Sequence, residues 1–364
     1  MTMYPISQNI LATYTDLLEA KLREREFLSE LLHGTEGSYI TQKSSRGTYW
    51  YFQKTDPVSG ERKKEYLGPD KGETGEHVRR LKKLLEIYRR FGEQEQFAQR
   101  VRVLRKFYAL PTVLEAKTFL ILERAGVFLN GGVIVGTHAF RSFSLVLGYG
   151  LRDNTRTTDI DLFGTRTIHL SKTRLEEMAA IITRNLSLQP LPTMDKKQRS
   201  NAFLVENSDL KLEILTDLVH SESNPESIKD ISSMPFYAQP LEMQDYLTRN
   251  AIPAVIPVNK GILVNIPEPE RFAVHKLWLS TQRKDSFKAR KDLAQAAAII
   301  SIMEKHEPYK IEGAVRDFCI WPTVEEKHVL CLENGLKNVE KYARYKSVMI
   351  EAAKDTVFSE RIDR

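Results

Sequence analysis

Two aspartates alternate with apolar residues in the segment TTDIDLF, at residues 157–163. In a strand, side chains at positions i and i+2 point to the same side, so Asp159 and Asp161 are expected to project together. Two carboxylates at that spacing repel each other unless a cation lies between them, and hard oxygen ligands favour Mg²⁺ or Mn²⁺. The pair therefore predicts a divalent metal site. Solvated charges at the end of an exposed edge strand are the alternative.

A Gly-Thr pair comes before this strand, in the segment VIVGTHAF. Gly136 permits a close approach of the backbone, the first N–H groups of a helix bind anions, and the Thr137 hydroxyl adds a donor. The segment therefore predicts a helix N-terminus that holds phosphate oxygens. For Thr137 taken alone, an ordinary threonine N-cap is the alternative.

A third acid lies in the apolar segment LKLEILT, where Glu213 stands between Leu212 and Ile214. An acid in such a strand is costly unless it faces a cleft or a metal. If this strand pairs with TTDIDLF, Glu213 completes a cluster of three carboxylates that can hold two metal ions. Such a cluster supports in-line displacement at phosphorus, and Glu213 could also act as general base toward the attacking hydroxyl.

The elements that must position these residues alternate between helices and strands, as in a small mixed sheet. The spacing of apolar residues also predicts a β-meander over 37–68, a basic helix over 73–107 broken near Gly92, and a hairpin over 254–266. From residue 269 onward the pattern is helical and includes one long helix over 323–354. We therefore expect an α+β fold in three parts: N-terminal helices with the small meander (1–110), a core (111–268) and a C-terminal helical domain (269–364).

The composition is typical of a soluble globular chain, with 41% hydrophobic and 28% charged residues in a total of 364. No run approaches the roughly 18 consecutive apolar residues of a membrane span, and no secretory pattern opens the chain. We therefore expect a cytoplasmic protein with no membrane contact. The net charge of +6 favours polyanionic partners such as NTPs or RNA, although surface lysines also simply keep proteins soluble.

The chemical motifs come in an order that resembles the DNA polymerase beta-like nucleotidyltransferase superfamily: Gly-Thr, a helix, the aspartate pair, then an acid on a later strand. Within that superfamily, GTHAF, TTDIDLF, LKLEILT, PERFAVHKLWLS and KARKDLAQA are most similar to bacterial nucleotidyltransferases. Abortive-infection and toxin–antitoxin nucleotidyltransferases are relatives by the same criteria. The resemblance covers residues 115–305.

This resemblance implies a nucleotidyltransferase-fold core in which Asp159 and Asp161 ligate metal and Glu213 is the third ligand or the base. Gly136 and Thr137 would bind the triphosphate of the incoming nucleotide. Two positions depart from the usual pattern, because threonine replaces serine after the glycine and glutamate replaces aspartate at the third acid.

The resemblance also implies a lysine that reaches the nucleotide phosphates from the helices after the core. Lys276 is the first candidate, and Lys288 or Lys291 is the second. Asp292 could orient a neighbouring lysine. For Lys288 and Lys291 a solvated helix face is the alternative.

The predicted β-meander has the composition of a nucleic-acid platform, because aromatic rings stack on bases and cations meet phosphates. The alternation in YWYF, at residues 49–52, instead predicts that two of these four aromatics enter a small core against the flanking helices. The candidate contact residues are Arg46, Tyr49, Tyr51, Arg62, Lys63 and Lys64.

Together these patterns predict a metal-dependent nucleotidyltransferase that moves a nucleoside monophosphate from an NTP to an acceptor hydroxyl and releases pyrophosphate. The expected cofactor is two Mg²⁺ or Mn²⁺ ions. The expected acceptor is RNA, with tRNA first because the resemblance includes toxins that act on it, and a protein hydroxyl is the second candidate. An antitoxin or regulatory protein is a further candidate partner. The alternative is a noncatalytic nucleic-acid-binding or regulatory protein that retains the fold and binds independently of Asp159 and metal.

Overall fold

The computed structural model describes residues 3–30, 37–55, 61–92, 95–151, 155–192, 199–218, 229–231 and 233–362. Contacts divide the chain into two compact units, which we call the N-terminal unit (residues 15–100) and the main unit (residues 1–14 with 101–364). The three-part division expected from the sequence stays a prediction. None of the described helices has the length and apolar character needed to cross a membrane.

The first half of the chain contains, in order, β1 (Met3–Pro5), α1 (Gln8–Glu30), β2 (Gly37–Ser44), β3 (Gly47–Thr55), β4 (Arg62–Pro69), α2 (Gly72–Gly92), α3 (Glu95–Leu104), α4 (Val113–Ala125), β5 (Val133–Ile134), α5 (Gly136–Val146), β6 (Tyr149–Leu151), β7 (Asp159–Phe163) and α6 (Lys172–Asn185). The second half contains β8 (Leu188–Pro190), β9 (Ala202–Val205), β10 (Lys211–Asp217), β11 (Lys229–Asp230), β12 (Tyr237–Leu241), α7 (Gln244–Thr248), β13 (Ile252–Ile256), β14 (Ile262–Ile266), α8 (Pro269–Ser280), α9 (Ser286–His306), α10 (Pro308–Cys319), α11 (Glu326–Leu336) and α12 (Tyr342–Ile362).

The N-terminal unit contains an antiparallel sheet of β2, β3 and β4 in sequence order. One side of this sheet packs on α2, because every second residue of a strand points to the same side and the apolar ones point to the helix. The basic helical segment forms α2, which ends at Gly92, and α3, which begins at Glu95. The predicted break near Gly92 falls on residues 93–94, which lie outside the described residues. The β-meander is confirmed.

The main unit is organised around a mixed sheet in which β5, β7, β10, β12 and β11 are successive neighbours. β10 pairs in parallel with β7 and β12, whereas β5 is antiparallel to β7 and β9 is antiparallel to β10. The predicted hairpin is also present, as β13 and β14. The α+β fold with a short mixed sheet and a helical C-terminal region is therefore confirmed.

Helix α8 is the centre of the C-terminal helices and contacts α9, α10 and α11. The single helix predicted over 323–354 is wrong, because α11 ends at Leu336 and α12 begins at Tyr342. The side-chain amide of Asn338 donates to the carbonyl of Asn334 at 3.1 Å, and the backbone N–H of Val339 donates to the carbonyl of Leu336 at 3.0 Å. These bonds use the last carbonyls of α11 and stop the helix.

Candidate active site

The three predicted carboxylates lie on one side of two neighbouring strands. β7 and β10 are parallel, with Asp161 opposite Glu213 and Asp159 opposite Lys211. Residues opposite each other in a sheet point to the same side, so the register brings the acids together. β7 pairs with β10 along its whole length and with β5 at Leu162 and Phe163, so it is not an edge strand of the sheet. The residues that alternate with this polar set are completely buried on the other side: Ile160, Leu162, Leu212 and Ile214.

Gly136 brings the start of α5 against the Asp161 carboxylate. Its φ of +62° lies in the left-handed region, which favours glycine, and a Cβ at this position would overlap Oδ2 of Asp161. The backbone N–H of Val135 donates to the Asp161 carbonyl at 3.0 Å. Glycine is therefore required here both by the backbone conformation and by the space that the carboxylate occupies.

The N-terminus of α5 has no side-chain cap. Val135 is the N-cap residue, and Thr137 lies inside the first turn with 7% of its surface exposed. The threonine N-cap alternative is therefore wrong. Uncapped N–H groups and the positive end of the helix dipole favour an anion, as expected for a phosphate-binding helix start.

The electrostatic surroundings of Asp161 favour a cation. Burial raises the pKa of its carboxyl to about 6, and the nearby charges of Glu213 and Asp159 act in the same direction. Among the residues that the structure describes, neither Asp159 nor Asp161 forms an ion pair with lysine or arginine. A positive charge at this point would therefore relieve the repulsion between the acids.

Lys211 is a member of this polar cluster that the sequence reading missed. Its ammonium group pairs with the Glu213 carboxylate, two residues along the same strand. Burial lowers the pKa of Lys211, but the hydrogen bond to Glu213 and the charges of the acids outweigh that effect and raise it. The spacing of Lys and Glu in LKLE was the available signal, because residues i and i+2 of a strand share a side.

Lys276 is held by a buried carboxylate in the next helix. Its Nζ donates to Oδ1 of Asp292 at 2.5 Å, and Nε of Arg283 donates to the other oxygen, Oδ2, at 3.1 Å. The expected orientation of a lysine by Asp292 is thus confirmed. The positive charge of Lys276 lowers the pKa of Asp161 and so opposes the effect of burial.

The two second-choice lysines have different surroundings. Nζ of Lys291 donates to the backbone carbonyl of Arg156 at 2.7 Å, just before the aspartate strand. Burial and the nearby charge of Lys276 lower the pKa of Lys291. Lys288 instead has an exposed side chain in the first turn of α9, where Asp285 caps its backbone N–H. The structure therefore brings Lys276 and Lys291 toward the acids, whereas Lys288 lies on the solvated face.

A buried polar network supports the loop that leads into β7. Arg141 donates through Nη1 to Oε2 of Glu115 at 3.1 Å and through Nε to the carbonyl of Thr155 at 2.8 Å. His138 Nε2 lies 3.4 Å from Oε1 of the same glutamate. Burial raises the pKa of Glu115, but the proximity of His138 and the charge of Arg141 outweigh it and lower the pKa to about 2. His138 is therefore buried in this network: its Nδ1 lies 3.3 Å from Nη1 of Arg141, whereas its Nε2 makes no hydrogen bond within the described residues.

Sequence reasoning missed this network, because the local pattern within it predicts only a helix start. Thr112 and Glu115 form a capping box at the start of α4. That local pattern predicts the helix start, but it carries no information about Arg141, which comes from another helix.

The acids fit a divalent cation that binds together with a substrate. Among the His, Cys, Asp and Glu side chains of the described ranges, no group of three or more is arranged to hold a metal ion. The site of three carboxylates and two ions therefore stays a prediction. Mg²⁺ commonly uses only one or two carboxylates and takes further ligands from phosphates and water, which suits Asp159 and Asp161.

The residues expected to contact nucleic acid lie in the N-terminal unit. Tyr49 and Tyr51 point away from the core side of the β-meander, and Arg46 is in the turn between β2 and β3. Lys63 and Lys64 are exposed neighbours in β4 and point to opposite sides. Arg62 shares the side of Lys64. A role for these residues in nucleic-acid binding stays a prediction.

Comparison with known protein families gives a match. A family model described as Nucleotidyltransferase matches residues 116–320, which is more than half of the chain and includes the acids, the Gly-Thr turn and the three lysines. Searches of curated proteins and of solved structures found no significant match.

Proposed function

The chain belongs to this nucleotidyltransferase family, and we propose that it transfers a nucleoside monophosphate from an NTP to a hydroxyl group of RNA with the help of a divalent metal. Family membership makes the protein a transferase of the EC 2.7.7 type. The metal, the acceptor and the residue roles are the content of the proposal.

The observation that carries the proposal is the meeting of the carboxylates with an uncapped helix start. Asp161 lies opposite Glu213 in the sheet, and Gly136 allows the beginning of α5 to touch Asp161. A nucleotidyl transfer requires negative groups that bind a cation beside positive groups that bind phosphate. These strands and this helix supply both within one site.

In this proposal Asp159 and Asp161 hold Mg²⁺ or Mn²⁺, with Glu213 as third ligand or base. A bound divalent cation would neutralise charge on the triphosphate and lower the pKa of the attacking hydroxyl. The Asp161 carboxyl supports this assignment, because it is buried beside two other acids and, among the described residues, forms no ion pair with lysine or arginine.

The triphosphate binds between the helix start and the lysines. The N–H groups after Gly136 and the Thr137 hydroxyl donate to phosphate oxygens. Lys276 in α8 and Lys291 in α9 add positive charge, and Asp292 fixes the ammonium group of Lys276. Lys288 is the weakest of the proposed phosphate contacts because its side chain is exposed.

The reaction is a displacement at the α-phosphorus. The acceptor oxygen forms a bond to that phosphorus, while the bond from phosphorus to the oxygen bridging the α- and β-phosphates breaks. The acceptor proton goes to the Glu213 carboxylate, and pyrophosphate leaves with the electron pair of the broken bond.

RNA is the proposed acceptor, with tRNA first. The net charge of +6 and the basic, aromatic β-meander support a polyanionic partner with exposed bases. Control by an antitoxin or another regulatory protein is part of the same proposal, since it would act on this chemistry without changing it.

The test uses NTPs labelled at the α-phosphate, Mg²⁺ and total RNA. We expect RNA to become labelled and pyrophosphate to be released. NTPs labelled at the γ-phosphate should leave RNA unlabelled, because this position departs with pyrophosphate. Asp159→Asn and Asp161→Asn should each abolish labelling.

The matched control is Asp209→Asn, which removes the same charge from an exposed turn just before β10 and should keep full activity. Wild-type protein that labels no RNA with any of the four NTPs would show that the proposed acceptor is wrong. Full activity of both aspartate variants would show that the proposed site is wrong.

A further inference from the structure

The β2–β4 sheet of the N-terminal unit has two chemically different sides. On the first side, Tyr39, Trp50 and Phe52 are buried and pack with Val78 and other apolar residues of α2. Nε1 of Trp50 donates to Asp70 at 2.8 Å, which anchors this side further. These aromatics belong to the core and have no surface for a ligand.

The second side has tyrosines that the core does not use. Tyr51 lies opposite Tyr66 in the sheet, with ring centroids 5.5 Å apart, and Tyr49 lies 6.1 Å from Tyr66. Tyr66 is 56% exposed, and the other two are partly exposed. Three adjacent rings therefore face outward from a sheet whose other side already forms the core.

The charge around these rings is positive. Lys64 and Arg62 continue the β4 positions of Tyr66 on the same side, and both are exposed. Glu65 lies opposite Phe52 and points to the other side of the sheet. Between residues 37 and 69 the sequence contains six lysines and arginines against three acids. We call the set formed by Tyr49, Tyr51, Tyr66, Arg62 and Lys64 the tyrosine face.

We propose that the tyrosine face binds single-stranded RNA. Exposed rings offer surfaces on which unpaired bases stack, and the flanking cations meet the phosphates between those bases. A duplex hides the faces of its bases in its own stack, so it matches these rings poorly. The inference rests on the proposed function, because it gives the RNA acceptor a binding surface outside the catalytic residues.

The test is a fluorescence anisotropy titration of the full-length protein with a labelled single-stranded RNA of about twelve nucleotides. It uses neither NTP nor metal, so binding is measured apart from catalysis. Replacing all three tyrosines by leucine should raise the Kd at least about tenfold, because leucine offers no ring for stacking. Replacing all three by phenylalanine keeps the rings and should leave the Kd nearly unchanged.

The charge component has a matched pair of exposed lysines on opposite sides of the sheet. Lys64→Ala should reduce the slope of log Kd against log salt by about one, as expected for loss of one phosphate contact. Lys43→Ala removes the same charge from β2 on the side away from the tyrosine face and should leave the slope unchanged. Circular dichroism melting of each variant verifies folding, and Tyr66→Ala serves as a milder variant because that ring is already more than half exposed.

Several results would overturn the inference. One is an unchanged Kd for a folded triple leucine variant, and another is equal slopes for the two lysine variants. Tighter binding of duplex RNA or of single-stranded DNA than of single-stranded RNA would show that single-stranded RNA is not the ligand of the tyrosine face. Protein that binds RNA through these tyrosines but transfers no nucleotide would contradict only the proposed function, whereas transfer to RNA with tyrosine-independent binding would contradict only this inference.

Discussion

A methyl group added at Gly136 should damage the site through one carboxylate. The φ of +62° makes alanine strained by about 1–2 kcal/mol at this position. In addition, the new Cβ would overlap Oδ2 of Asp161, and overpacking of this kind adds about 1–3 kcal/mol. We therefore expect Gly136→Ala to lower the free energy of unfolding by about 2–5 kcal/mol and to displace the Asp161 carboxylate.

Gly148, just after the same helix, provides the matched control. Its φ of +72° imposes the same backbone strain, but a Cβ there meets only the flexible Leu11 side chain, at 3.0 Å. Gly148→Ala should therefore lose only about 1–2 kcal/mol and keep its transferase activity. Gly136→Ala should lose at least about a hundredfold in kcat/KM, because small displacements of catalytic groups have effects of that size.

The assay is chemical denaturation of four proteins: wild type, Gly136→Ala, Asp161→Ala and the double variant. Removing the Asp161 carboxylate removes the overlap, so the cost of the alanine should fall to the strain alone. The expected coupling free energy is about 1–3 kcal/mol. Additive effects, or equal loss of activity in Gly136→Ala and Gly148→Ala, would refute the idea that glycine is needed to make room for this carboxylate.

Three further results are expected. Glu115→Gln should lower the free energy of unfolding by about 3–5 kcal/mol, because it leaves Arg141 buried without its counter-charge. Adding Arg141→Met to this variant should restore much of the lost stability, and denaturant titrations measure the stability of each variant. The folded-state pKa of Glu115 is depressed from 4.5 to about 2. Its contribution to the free energy of unfolding is therefore present above pH 4.5 and should disappear as the pH falls toward 2. Melting of wild type and Glu115→Gln across that pH range would detect this loss. Lys276→Met should raise the KM for NTP about tenfold or more, whereas Lys288→Met should raise it far less because the Lys288 side chain is exposed. Equal effects of the two variants on the KM would contradict the assignment of Lys276.

The sequence alone determined the features that depend on short-range periodicity. Asp159 and Asp161 share a side because residues i and i+2 of any strand do. The same rule separates Trp50 and Phe52, which are buried, from Tyr49 and Tyr51 on the other side. Such patterns need no knowledge of distant parts of the chain.

The limit of local reasoning is visible where a helix ends. The apolar spacing after residue 323 favours one continuous helix, yet the chain stops helical pairing between α11 and α12. At Gly335, a Cβ would overlap the carbonyl of Leu277, so the end of α11 lies directly on α8. The end of α11 is thus closely packed against another helix, and the spacing of apolar residues carries no information about such packing.

Tertiary structure alone decided which residues meet in the site. The adjacency of Asp161 and Glu213 depends on parallel pairing of strands that are separated by a helix and two further strands. Lys211 enters the cluster through the same register, and Lys276 acts on Asp161 from a helix much later in the chain. Strand order follows from packing between distant elements, whereas residue spacing reports only on neighbours along the chain. The sequence therefore identified the three acids, but only the tertiary structure showed that Asp161 and Glu213 are adjacent.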